Sequence, residues 1–350
     1  MPPVNYVAVS IRRVASALGA VAMMIGVLAG CGTGVPDRST DARALTAQVR
    51  QLPGVVDAAA DIAHSQAQGR VYFRLYVDVS DSVTAGQAAT ITASYLRDIS
   101  SGKYAGYRLE LDLRHGWNVF AVDSGVLAIT NADQIIAQTR DWVALRSEFP
   151  SATVSMRATI THPGGQLTTQ EAGHSNLAVL EFADPGDYTT VSAAAGTLSA
   201  RFRQLAGLDW TIDAGKEHPA EIKTSRRLPT AAELNVFNRL NADQPIPHID
   251  RLRINDPVTP PVWFSEKTIG SHDVAVALRL AQAHLPFVAT LPAPVLYSAS
   301  DQLSGHIGGR GFARGPVAVT VGGCTRHDPL VYAPIPEERV LIAKYESCKA

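Results

Sequence analysis

Three residue types of a hydrolase triad stand in direct succession at Ser271, His272 and Asp273. A serine hydrolase needs these side chains to face one another, but neighbouring residues at the start of a helix point in different directions. We therefore expect Ser271 to cap a helix. The chain after residue 30 also lacks the G-x-S-x-G turn that presents a serine nucleophile. We predict no catalytic residues and keep an extracytoplasmic hydrolase as a second alternative.

A carboxylate pair, Glu110 and Asp112, lies two residues apart on one face of a predicted strand. Acid–base catalysis uses such pairs. Arg108 and Arg114 stand on the same face, and opposite charges are typical of strand faces that contact water. The pattern therefore favours a solvated face over a catalytic site.

Tyr72, Arg74 and Tyr76 share one face of another predicted strand. RNA-recognition sheets stack bases on aromatic and basic side chains placed in this way. The 31 Lys and Arg residues are balanced by 32 Asp and Glu residues, for a formal net charge of -1. Because nucleic-acid binding rests on positive charge, we predict no nucleic-acid partner. A covered or protein-binding sheet face is the better interpretation.

A glycine-rich stretch over residues 305–315 includes Arg310 and Arg314 and could cradle an anion through backbone N–H groups. It fits neither the dinucleotide nor the P-loop fingerprint, so we predict a mobile loop.

No two histidines have H-x-x-x-H spacing, and we expect no metal and no cofactor. Eight of the ten histidines can be named as scattered single residues: His162, His174, His218, His248, His272, His284, His306 and His327.

The amino terminus has the pattern of an export signal. Arg12 and Arg13 precede a small and apolar run over residues 14–30, and residues 28–31 read Leu-Ala-Gly-Cys. This order resembles the lipobox of bacterial lipoproteins. An uncleaved transmembrane anchor is the alternative.

The lipobox resemblance implies a membrane anchor at Cys31. Residues 1–30 would be a signal peptide, the Cys31 thiol would carry a diacylglyceryl group, and the new amino terminus would often be acylated too, for example with palmitate. Residues 31–41 would be the lipidated terminus and a polar tether. The expected location is the extracytoplasmic face of the cell membrane.

Cys324 and Cys348 are the two cysteines that follow Cys31. In an oxidising compartment they would bridge and pin the carboxyl terminus to the body. Two buried free thiols are the alternative.

Hydrophobic periodicity shows the order helix, strand, strand, helix, strand three times. An opening strand would turn each pass into a split β-α-β unit of the ferredoxin-like plait. Residues 125–129 and 220–223 are candidates for it in the second and third passes, whereas the first pass departs from the pattern because only the tether precedes its first helix. The predicted fold is therefore α+β, with repeated plait units that have antiparallel sheets and helices on one face. One continuous α+β domain is the alternative. The units would span residues 42–122, 123–215 and 216–350, the last with the glycine-rich loop and a C-terminal helix.

These patterns predict a non-enzymatic, membrane-anchored lipoprotein that presents α/β modules to a protein partner in the cell envelope. A carrier or sensor of a small apolar or lipid ligand is the first alternative, because the alanine-rich segment around Ala193 to Ala195 would leave room beside a sheet. The composition, rich in Ala, Val, Gly and Arg with few lysines, is typical of GC-rich genomes such as those of actinobacteria and mycobacteria.

Overall fold

Twelve strands and seven α-helices make up the part of the chain that the computed structural model describes, which is residues 34–165, 175–242 and 244–348. The helices are α1 Ser39–Arg50, α2 Ala85–Ile99, α3 Ala132–Glu148, α4 Tyr188–Arg201, α5 Ala231–Ala242, α6 Val274–Val288 and α7 Pro336–Tyr345. The strands are β1 Val55–Ser65, β2 Arg70–Val79, β3 Arg108–His115, β4 Asn118–Gly125, β5 Ala152–Arg157, β6 Leu177–Phe182, β7 Asp209–Asp213, β8 Glu221–Thr224, β9 His248–Ile254, β10 Val262–Thr268, β11 Val295–Ser300 and β12 Ala318–Val321.

Local signals in the sequence position several of these elements. Thr84 and Gln87 form a capping box at the start of α2, in which each side chain binds the backbone N–H of the other residue. Thr230 and Glu233 make the same reciprocal bonds at α5. In both cases side-chain oxygens accept hydrogen bonds from backbone N–H groups that the start of a helix leaves without a partner.

All twelve strands belong to one mixed sheet, and they lie side by side in chain order. Strands joined by a turn are antiparallel, as in β1 with β2 and β3 with β4. Strands joined by a helix are parallel, as in β2 with β3 and β4 with β5. A helix returns the chain to the end of the sheet where the previous strand began, so the next strand runs in the same direction.

This topology corrects the predicted fold class. The chain is α/β with a mixed sheet, not a set of antiparallel sheets. In a split β-α-β unit another strand separates the two strands that flank a helix, whereas here they are direct partners. The ferredoxin-like repeat is therefore not confirmed. Strand β4 spans the expected boundary between residues 122 and 123, and residues Val35–Ala350 form one compact unit.

The helices form a layer on one face of the sheet. Phe73 on β2 packs against Tyr95 on α2, and Phe120 on β4 packs against Trp142 on α3. Helices α2 and α3 also contact each other, where Thr139 donates to Thr92. The apolar core lies between this layer and the sheet.

The segment before α1 lies against the body. The Tyr107 hydroxyl accepts a hydrogen bond from the Arg38 N–H at 3.0 Å and lies 3.1 Å from the Pro36 carbonyl oxygen. Gln66 donates to the Val35 carbonyl oxygen at 2.7 Å. The predicted tether, residues 31–41, is thus docked from Val35 onward, while Cys31 lies outside the described residues.

The glycine-rich segment, residues 301–317, crosses the far face of the sheet between β11 and β12, and we call it the strap. Ser265 on β10 donates to the Leu303 carbonyl oxygen at 2.7 Å. Gly311 has φ +73°, and a Cβ there would lie 1.9 Å from the Val258 carbonyl oxygen. Glycine is therefore required for this close approach. The segment predicted as a mobile loop packs against the sheet instead.

Candidate functional site

The sheet face turned away from the helices is partly exposed to solvent along β2 to β9, and we call it the open face. Its residues alternate with residues buried under the helices, as the two-residue period of a strand requires. Its charged and aromatic members are Arg70, Tyr72, Arg74, Tyr76, Asp78, Arg108, Glu110, Asp112, Arg114, Asp123, Arg157, Glu181, Asp209, Asp213, Glu221, Lys223, Arg251 and Arg253.

Glu110 lies at the centre of an ion-pair network on the open face. Its carboxylate pairs with Arg74 and with Arg108, the latter at 2.9 Å. Arg108 also reaches Asp123 at 2.9 Å. The hydrogen bond to Glu110 raises the pKa of Arg74. Each charge has a neighbour of opposite sign, which keeps these side chains in fixed positions.

Tyr76 is held between two arginines of the same face. The Arg114 guanidinium carbon lies 4.0 Å from the centre of the Tyr76 ring, within range of a cation–π contact. Arg74 donates to the Tyr76 hydroxyl at 3.2 Å, and Arg114 donates to Asp112 at 2.9 Å. The structure thus brings together the aromatic, basic and acidic residues that the sequence placed on two separate strands.

The open face becomes more acidic towards β7 and β8. Burial raises the pKa of Asp213 to about 6, and the neighbouring charges of Glu181 and Glu221 add to the shift. One carboxylate oxygen of Asp213 is buried without a hydrogen-bond partner among the described residues. A cationic side chain from a binding partner would satisfy it.

The two carboxylates of the open face that the sequence singled out are both paired with arginines. Glu110 and Asp112 share one face as predicted, but arginines occupy both carboxylates. A general base must be available to take up a proton, and an arginine-paired carboxylate is a poor one.

The predicted triad types do not meet. Asp273 is the N-cap of α6 and accepts from the Ala275 N–H, so the expectation that Ser271 is the N-cap is wrong. Ser271 instead accepts from the Asp273 N–H. The His272 ring is exposed and contacts Asp301 at 2.8 Å. Asp273 suits the cap position because a negative charge is favoured at the amino terminus of a helix.

Backbone N–H groups of the strap are already bound within the protein. Those of Gly308 and Gly311 donate to the carbonyl oxygens of Phe312 and Gly308, and that of Arg314 donates to His306. Donors that are paired in this way are not directed at a bound anion. The geometry does not favour an anion cradle at residues 305–315.

Cys324 follows β12, and Cys348 follows α7. Their sulfur atoms are 2.09 Å apart, which is the distance of a disulfide bond. This crosslink joins the end of the chain to the strand beside the strap. It lies far along the sheet from the open-face network around Glu110, which is on β3.

The fold brings some of the scattered histidines together. His272 and His306 both contact Asp301, the first residue of the strap, and His248 on β9 lies against His284 on α6. His174 lies outside the described residues. The pair under the helices belongs to a larger group of charged side chains.

This second charged cluster is buried between the sheet and helices α5 and α6, and we call it the buried cluster. Glu266 accepts from the Tyr297 hydroxyl, and its other oxygen lies 2.7 Å from His284 Nδ1. His248 lies beside Asp250 at 3.3 Å, and its ring centre is 5.2 Å from that of His284. All five side chains are at most 5% exposed.

The contacts of His248 favour its charged form. Its Nδ1 faces the Ile246 carbonyl oxygen and its Nε2 faces the Leu240 carbonyl oxygen. Because carbonyl oxygens only accept, both nitrogens must carry protons. Burial lowers the pKa of His248, but the hydrogen bond and charge of Asp250 outweigh this effect and raise it to about 9.

The buried cluster contains a candidate set of metal ligands. His248, Glu266 and His284 offer ligand atoms within 4.8 Å of one another. A metal needs the lone pair of a neutral imidazole, whereas both His248 nitrogens serve as donors. The contacts favour a charge-paired structural cluster.

A cleft of about 600 Å³ lies on the outside of the helix layer, among α4, α5 and α6. The Arg239 guanidinium stacks on Phe287 at 3.7 Å in this cleft. The Asn238 side-chain oxygen is buried and has no partner among the described residues.

The alanine-rich segment of α4 does not leave the expected space beside the sheet, because Ala194 and Ala195 are buried in the core.

Comparisons with protein-family models, with curated proteins and with solved structures found no match to this chain. Among the helices described, none has both the length and the apolar character needed to cross a membrane.

Proposed function

We propose that this chain is a lipid-anchored, non-enzymatic protein on the extracytoplasmic face of the bacterial cell membrane, and that it binds a partner protein through the open face. The observation that carries the proposal is the network around Glu110, in which arginines, carboxylates and Tyr76 are fixed by mutual contacts yet partly exposed. Arginine and tyrosine are enriched where proteins bind proteins.

Both signs of charge alternate on this surface, so a partner with a mixed pattern of acidic and basic side chains would complement it. A nucleic acid, whose backbone is uniformly negative, would meet Glu110, Asp123 and Asp213 as repulsive groups. The chemistry of the open face therefore favours a protein partner.

The proposed anchor is the diacylglyceryl group on Cys31. Its support is the lipobox pattern at residues 28–31, and helix α1 begins only eight residues after Cys31. Two or more acyl chains give stable membrane attachment. The protein would then present the open face close to the membrane, where envelope proteins reside.

At the level of architecture, we infer that the repeated unit is strand-strand-helix. Turns and helical crossovers alternate along the sheet, from β1 to β11. Each added unit extends the sheet by two strands, as repeats extend the binding surfaces of solenoid proteins.

The test compares two arginine reversals in cells that make the lipidated protein. Arg114→Glu changes the open face, and Arg140→Glu changes the exposed side of α3 as a matched control. We expect native gels of detergent-extracted membranes to show a complex that Arg114→Glu abolishes and Arg140→Glu preserves. Equal complexes in both variants would contradict the proposed interface, and a Cys31 without attached lipid in the mass spectrum would contradict the anchor.

A small amphipathic ligand in the cleft is the second candidate function. The unpartnered Asn238 oxygen and the stacked Arg239 and Phe287 favour it, because they combine polar and aromatic contacts. Native mass spectrometry of the Cys31→Ser protein would show a bound mass that Asn238→Leu removes. A bare protein under the same conditions would count against this function.

A further inference from the structure

An exposed apolar pair lies beside an apolar groove at the end of the sheet where β3 begins and β4 ends. Val126 and Leu127 directly follow β4 and are 61% and 51% exposed. Adjacent exposed apolar side chains of this size mark a contact surface more often than scattered ones do. The groove behind them has a volume of about 250 Å³, and its apolar lining includes Ile99, Tyr104, Leu109 and Ile129.

The amino-terminal segment enters the body at this same end. Leu109 pairs with Gly125, so the residues just beyond them, Tyr107 and Val126, lie at one end of β3 and β4. Tyr107 binds the backbone at residues 36–38. The chain is therefore fixed to the body beside the apolar pair before it continues towards Cys31.

We infer that this end of the sheet docks on the lipid bilayer, with Val126 and Leu127 in contact with the outer surface of the membrane. This inference rests on the proposed lipidation of Cys31. Val35 follows Cys31 by four residues, and four residues span at most about 14 Å when fully extended. An anchor this short brings the docked end of the body to the membrane surface.

The opposite end of the sheet provides an internal reference. Trp117 lies just before β4, at the turn from β3, and is 86% exposed. Strand β4 has eight residues, which makes it about 25 Å long at about 3.3 Å per residue, and Trp117 and Val126 lie at its opposite ends. If Val126 and Leu127 contact the membrane, Trp117 at the other end of β4 stays in water.

The test measures tryptophan quenching in vesicles whose phosphatidylglycerol and phosphatidylcholine carry brominated acyl chains. The probe is the lipidated full chain with Leu127→Trp in a Trp117→Phe background, and the matched control is the lipidated chain with native Trp117. Trp142, Trp210 and Trp263 are buried in both proteins and give the same background. We expect at least twofold stronger quenching for the Leu127→Trp protein, and the same for Val126→Trp as a second probe.

Two results would overturn the inference while the anchor stands. One is equal quenching of the probe and the control in protein whose mass spectrum shows lipid on Cys31. The other is a dimer of the Cys31→Ser protein that Leu127→Asp abolishes, since this would assign the apolar pair to self-association. A mass spectrum without lipid on Cys31 would instead overturn the proposed anchor, and the docking inference with it.

Discussion

Glu110 and Glu266 perform similar roles in two different regions of the molecule. Both lie on interior strands of the sheet, β3 and β10, and each binds two donors. Glu110 pairs with Arg74 and Arg108 on the open face, where its side chain is 13% exposed. Glu266 binds His284 and Tyr297 under the helices, where its side chain is fully buried.

A charged network behaves differently when it contacts water and when it is buried. Water screens the open-face charges and can replace a lost partner, so that network contributes little to stability and can exchange its contacts for those of another protein. The buried cluster has no access to water, so loss of one member leaves its partners unsatisfied. We therefore expect stability to depend on the buried cluster, whereas the open face is the surface proposed for recognition.

The largest expected effect is that of Glu266→Ala. It removes the acceptor of the Tyr297 hydroxyl and the carboxylate beside His284, and breaking a buried pair in this way costs about 3–5 kcal/mol. Urea denaturation followed by circular dichroism measures the loss. A loss below about 1 kcal/mol would show that the buried cluster is not structural.

The disulfide gives the next largest effect. Cys324 and Cys348 are separated by 24 residues in sequence, and a crosslink over a loop of this length stabilises a fold by about 3 kcal/mol. We expect the Cys324→Ser, Cys348→Ser double variant to lose about this amount in urea denaturation under oxidising conditions. Reduced wild-type protein serves as the control and should unfold at the same urea concentration as the variant.

The pH dependence of stability should reveal the charged state of His248. Asp250 and Glu266 face it as carboxylates, and His284 faces it as a second imidazole. Its pKa is raised from 6.5 to about 9 in the folded protein. The stabilising contribution is therefore complete below about pH 6.5 and is lost as the pH rises through about 9.

Urea midpoints measured from about pH 6 to about pH 9.5 test this prediction. They should decline across the window in wild-type protein and in His272→Gln, whose histidine is exposed. The decline should be clearly smaller in His248→Gln, where His284, whose pKa is also raised by Glu266, accounts for what remains. A decline of equal size in His248→Gln would assign the titration to another group.

The smallest expected effect on stability is that of Glu110→Ala. It removes an ion pair that is partly exposed, and such pairs contribute about 1 kcal/mol or less. Urea denaturation should therefore show a much smaller loss than for Glu266→Ala. A loss as large as that of Glu266→Ala would remove the distinction between the two regions.

The hydrophobic pattern of the local sequence predicts many of the helices and strands, but it does not predict how the strands pair in the sheet. Alternation places β2 and β3 correctly, and the expected strand at residues 220–223 overlaps the observed β8. Strand β4 is missed by alternation, because apolar side chains occur on both of its faces, as at Val119 and Phe120. Whether a strand pairs with its sequence neighbour in parallel or antiparallel fashion depends on long-range packing, so the mixed sheet could not be predicted from periodicity.

The open-face residues could be predicted because the polar face of each strand is visible in its own sequence. The buried cluster could not, because its members come from β9, β10, α6 and β11, which only the fold brings together. His248 and Asp250 stand at the positions of β9 that point inward with Leu252 and Ile254. That signal could have indicated buried charge on β9, but not its partners on β10, α6 and β11.

Site-specific photo-crosslinking in living cells tests the central claim, that the open face binds a protein partner, most directly. A photoreactive amino acid would replace Tyr76 or Thr153 on the open face, or Ala137 or Arg279 on the exposed side of the helix layer. We expect one discrete crosslinked product from both open-face positions, lost when Arg114→Glu is added, and none from the helix positions. The same product from all four positions, or products from the helix layer alone, would contradict it.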